Sequence, residues 1–157
     1  MLMSRLLKLA LVVDAIATAT TGLLLALFGG ALASLLGLPA SLLQVTGVIL
    51  LPYAAVVGYL AVRQHVSAAA IWAVIVVNVL WAVDSIALLF TGWITPTGLG
   101  TAFVIFQALV VGALAELQYF GLRASGRGQP VSGRGQVTRT QQSGSSYSTD
   151  HGHQGRA

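Results

Sequence analysis

Four apolar stretches, each about as long as a bilayer is thick, constrain this chain more than any other feature. They run over about residues 6–28, 42–62, 70–91 and 99–120. About 20 apolar residues in a helix rising 1.5 Å each cross a hydrocarbon core of about 30 Å. Transmembrane β-strands are about half that length and alternate in polarity, so a barrel does not fit. Backbone amides in lipid must be paired within their own segment, which makes each stretch a helix. The chain has 157 residues, 56% hydrophobic and only 8% charged. A soluble domain carries about 25% charged residues. The expectation is an all-α, four-helix transmembrane bundle over residues 1–122, followed by a disordered tail over 123–157.

The connections read as short. Residues 29–41 (GGALASLLGLPAS) are uncharged, 63–69 form a polar turn, and 92–98 (GWITPTG) carry the helix breakers Gly and Pro. Short connections predict antiparallel neighbours. Pro52 falls inside the second helix and removes one backbone hydrogen bond there, which predicts a kink beside Tyr53.

Charge sets the expected orientation. Arg5 and Lys8 precede the first helix, Arg63 follows the second, and Arg123, Arg127, Arg134, Arg139 and Arg156 follow the fourth. All of them fall on one side. The positive-inside rule therefore places both termini of a multi-pass membrane protein in the cytoplasm. Trp72 and Trp93 fall near the two interfaces. Arg5, Lys8 and the segment Ala31-Leu32-Ala33 mimic a signal peptide, but the apolar run between them is too long and contains Asp14.

The net charge of +4 belongs to the tail, because residues 1–122 sum to zero. The tail is rich in Gly, Ser, Gln and Arg and has no apolar period, so it is expected to stay disordered near anionic lipid. Its two Gly-Arg-Gly triplets are a weak RNA signal, and no nucleic-acid partner is expected. The expected partners are the bilayer and either another membrane protein or a second copy of the chain.

Cysteine is absent, which removes disulfides, iron–sulfur clusters and thiolate zinc sites. The sequence shows no zinc-protease, serine-hydrolase, nucleotide-loop or dinucleotide motif. His65 falls in a loop, and His151 and His153 are too few for a metal site. No catalytic residue, metal or cofactor is expected.

The remaining chemistry is polar and intramembrane. Three of the four acidic residues, Asp14, Asp84 and Glu116, fall inside expected helices. An ionised Asp at mid-bilayer costs about 2.5–3.5 kcal/mol on insertion scales, so such groups usually face the bundle interior and have a partner. Counting residues from the membrane faces predicts three layers: Asp14 with Asn78, Asp84 with Gln107, and Glu116 with Arg63. Asp14, Thr18 and Thr21 share one stripe of helix one, and Asn78, Trp81 and Ser85 share one on helix three. Ala108, Gly112 and Glu116 form a row on helix four that permits close helix approach.

The order Asn78-x2-Trp81-x2-Asp84-Ser85, Gly92-Trp93, Pro96, Gly98, Gly100-Thr101-Ala102-Phe103, Gln107 and Glu116-Leu117-Gln118 resembles a group of small bacterial four-helix integral membrane proteins without an established function. The resemblance spans about Arg5 to Leu122 and implies the fold, not a mechanism. Small multidrug resistance transporters also have four helices and a helix-one carboxylate. They use Glu where this chain has Asp14, and their Gly-rich aromatic segment in helix three is absent here.

Two functions follow as expectations. The first is a structural or accessory component of a membrane assembly, acting through helix contacts. The second is a small proton- or cation-coupled transporter, with Asp14 and Asp84 as carriers and Asn78 and Gln107 as polar partners.

Overall fold

A computed structural model describes residues 3–127. They form four helices: α1 (Arg5–Leu36), α2 (Ala40–Val62), α3 (Ala68–Leu88) and α4 (Gly98–Arg127). All four are long and apolar enough to cross a membrane. The connections are residues 37–39, 63–67 and 89–97.

Two helices are longer than composition predicts. α1 does not stop at Phe28; it continues through Gly29 and Gly30 to 32 residues, about 48 Å. Gly29 packs on Leu43 and Gln44 of α2, so tertiary contact outweighs the low helix propensity of the glycine pair. The actual stop is Gly37. Its φ of 65° is left-handed, and the amides of Gly37 and Leu38 both donate to the Ala33 carbonyl, closing the last turn.

α4 does not end at Phe120 either. Its last turns pack on the start of α1. Gly121 lies against Leu7, Leu122 is buried, and the Ser4 amide donates to the Ser125 hydroxyl at 2.8 Å. The Ser4 hydroxyl caps α1 by accepting from the Leu7 amide and donates to the Gly121 carbonyl at 2.8 Å. Residues 123–127 are therefore helical rather than the start of a tail. The rest of the expected tail, residues 128–157, lies outside the described residues.

At the other end, Thr97 joins α1 to α4. Its amide donates to the Leu36 carbonyl at 3.0 Å and its hydroxyl to the Leu35 carbonyl at 2.8 Å. The same hydroxyl accepts from the Gly100 amide, as an N-cap does. The start of α1 thus meets the end of α4, and the end of α1 meets its start.

α2 packs on α1, α1 on α4, and α4 on α3. α1 and α2 approach closely at Gly47, where a Cβ would run into the Ala26 amide nitrogen and the Gly22 carbonyl oxygen. α2 continues as one helix through Pro52, which is exposed on its surface.

The apolar core comes in two parts. One gathers Leu7, Leu11, Val57, Ala61, Ile71 and Val74 with Ala115 and Leu122. The other gathers Leu25, Leu36, Leu43, Ile94 and Val104. Between them lies a polar layer.

Candidate functional site: a buried carboxylate between two apolar cores

Asp14 and Thr18 are one turn apart on α1, and both are buried. The Thr18 hydroxyl donates to Asp14 Oδ1 at 3.1 Å. Asp14 Oδ2 accepts from two amides. Asn78 Nδ2 of α3 donates at 2.7 Å and Gln118 Nε2 of α4 at 2.6 Å. The amides are themselves linked, with Asn78 Nδ2 3.3 Å from Gln118 Oε1. α2 joins through Tyr53, whose hydroxyl donates to Asn78 Oδ1 at 2.8 Å.

Each helix therefore supplies a polar side chain to one network centred on Asp14. Among the described residues no buried side-chain nitrogen or oxygen lacks a partner. A carboxylate that only accepts, from three donors, is well solvated by the protein. Asp14 has 0% of its surface exposed. Among the described residues Arg5, Lys8, Arg63 and Arg123 are exposed, and none of them bonds to Asp14.

Next to this network is a cavity of about 60 Å³. Asp14, Thr18, Asn78 and Tyr53 line one part of it, and Thr21, Trp81 and Gln107 line another. Leu50, Val77, Val110, Val111 and Leu114 supply apolar wall. On α1 the lining runs from Asp14 to Thr21, between Leu11 of one core and Leu25 of the other. On α4 it runs from Gln107 to Leu114, between Val104 and Ala115. Along α1 and α4 the cavity thus lies between the two apolar clusters.

The structure groups the sequence candidates differently from the three predicted layers. Asp14 and Asn78 are hydrogen-bonded. Gln107 is half-buried on the wall of the same cavity, which Asp84 does not line, and no hydrogen bond joins the two. Asp84 is exposed, because it lies six residues, about 120°, round α3 from the buried Asn78.

The expected Glu116–Arg63 pair is not formed. Glu116 is exposed and has no charged partner among the described residues. Arg63 instead donates to the Tyr59 hydroxyl one turn back, with its guanidinium carbon 4.5 Å from the centre of that ring. Two facts explain this. α2 and α4 do not pack on each other in the way that α1 packs on both. The levels also differ: Gly58 lies beside Ala15, so Arg63 is about 7 Å further along, while Glu116 sits near the Asp14 layer, two residues from Gln118.

Gln118 and Tyr53 are the site residues that the polar-layer counting does not reach. Gln118 had a signal: it lies eleven residues from Gln107, three turns and about 20°, so both share one face of α4. Ending the helix at Phe120 put Gln118 at the membrane surface and hid that relation. Tyr53 follows Pro52 and gives no periodic signal.

Among the described residues no three metal-ligating side chains come together. Fold and site define a four-helix protein of membrane-spanning dimensions with a buried, hydrogen-bonded carboxylate at its centre. No family model, curated protein or solved structure matches the chain.

Proposed function

We propose that this chain is a small carrier of the bacterial inner membrane, coupled to a proton or a small cation held at Asp14. In this reading it is an antiparallel four-helix bundle with both termini in the cytoplasm. The meeting of opposite ends of α1 and α4 supports the antiparallel order. The exposed Arg5, Lys8, Arg63 and Arg123 near the corresponding helix ends support the orientation.

One observation carries the reading: the Asp14 network borders a cavity that lies between two apolar clusters. A purely structural lock needs no space beside it. A carrier needs a polar centre near mid-membrane with apolar packing on either side of it. Asp14, Asn78 and Gln107 have the place this function requires. Asp84, exposed on α3, does not belong to it.

The chain has no native cysteine, so a single introduced one is a clean probe. Thr21→Cys places a thiol on the cavity wall. A carrier exposes it to charged thiol reagents from each side of the membrane in turn. A thiol that reacts from neither side contradicts the reading.

The exposure of Asp84 and Glu116 favours a second reading, an accessory component of a membrane assembly. Ionisable groups in membrane helices rarely face lipid and usually have a partner. Native mass spectrometry on gently solubilised membranes tests it. A heteromeric complex supports this reading, and recovery only as a free monomer rejects it.

A further inference from the structure

We propose that the cavity beside Asp14 takes a small aliphatic ammonium ion, a proposal that rests on the carrier reading and names its cargo. Among the described residues Asp14 is the only carboxyl group in the lining, and the lining contains no basic side chain. An anion brought there meets a buried negative group at low dielectric, where repulsion is strong. An ammonium ion meets the opposite sign.

The acceptors suit an ammonium head. Asp14 Oδ2 already accepts from two amides, whereas Oδ1 accepts only from Thr18. Because Asp14 is fully buried, the ammonium group reaches it by displacing the Thr18 hydroxyl, whose bond at 3.1 Å is the longest of the three on the carboxylate. Thr21, Gln107 and Trp81 line the cavity, and their side chains have no hydrogen-bond partner among the described residues. The Thr21 hydroxyl and the Gln107 carbonyl are acceptors for the remaining N–H groups. The Trp81 ring is a surface that attracts cations.

The rest of the ligand is apolar and short. Val77, Val110 and Val111 present only methyl groups to it. The cavity of about 60 Å³ holds about two waters at about 30 Å³ each. The two carbons and one nitrogen of ethylammonium suit that size.

Calorimetric titration of the purified full chain with ethylammonium, ethanol and acetate tests this. The ammonium should bind at least tenfold more tightly than the alcohol, and acetate should not bind. Asp14→Asn should bring the ammonium down to the level of the alcohol. Gln107→Leu, at a half-buried position with no internal partner, should weaken the ammonium more than the alcohol and serves if Asp14→Asn does not fold. Val111→Phe, which fills the cavity, should remove binding of both. Equal binding of ammonium and alcohol overturns the proposal, as does an absence of ammonium binding or binding unchanged in these variants. Proton flux measured in parallel separates the two levels. Flux without ammonium binding rejects the cargo and keeps the carrier, whereas absence of both rejects both.

Discussion

Gln118 Nε2 donates to Asp14 Oδ2 across 2.6 Å, joining residues 104 positions apart and fixing α4 to α1 at the centre of the bundle. Removing the amide leaves the Asp14 carboxylate with one donor fewer in a place water does not reach. Gln118→Leu should lower stability by about 1–3 kcal/mol. Glu116→Gln, two residues away on the exposed face, should change it by less than about 0.5 kcal/mol. Unfolding in mixed micelles with increasing denaturing detergent reads both values. Equal effects would mean that the network does not hold the bundle.

Asp14→Asn and Asp14→Leu should separate sharply. The Asn carbonyl can accept from both Asn78 and Gln118 while its amide donates to the Thr18 hydroxyl, so every partner remains satisfied. Leu takes the acceptor from three buried donors, on Thr18, Asn78 and Gln118, each loss costing about 1–3 kcal/mol. The expected result in the same unfolding assay is a near-native Asn variant and a strongly destabilised Leu variant.

The helices differ in how much of them the sequence makes legible. α2 and α3 match their hydropathy runs to within about three residues, because charged or polar turns bound them at Arg63 and Ser67. α1 and α4 outrun theirs. In both, contacts between distant residues hold the extra turns: Gly29 on α2, and Gly121 and Ser125 on the start of α1. Local composition carries no trace of those contacts. The error at α4 then propagates to the site, because Gln118 is hidden and Glu116 is set level with Arg63. Asp14 and Asn78 are legible because burial of a polar side chain in lipid demands a partner at equal depth.

Glycine sets the spacing of α1 and α2. A methyl group at Gly47 would collide with the backbone of Gly22 and Ala26. Gly47→Ala should destabilise by about 1–3 kcal/mol, as overpacking does. A Cβ at Gly112 meets nothing within 4 Å, so Gly112→Ala should be neutral or slightly stabilising. Thermal unfolding of the two variants against wild type checks the contrast.

Orientation has a direct readout. A reporter active only in the cytoplasm, fused after Ala157, should give signal, and one active only in the periplasm should stay silent. The reverse pattern would invert the bundle and place the Asp14 end of the cavity toward the outside.

The account stands most directly on Asp14 as the group that carries charge through the membrane. Purified protein in sealed liposomes with an internal pH dye should dissipate an imposed proton or cation gradient. Asp14→Asn, folded by the unfolding assay, should reduce that flux to the level of empty liposomes, while Asp84→Asn should leave it intact. Wild-type flux no greater than that of empty liposomes would contradict the account, and so would full flux in the Asp14→Asn variant.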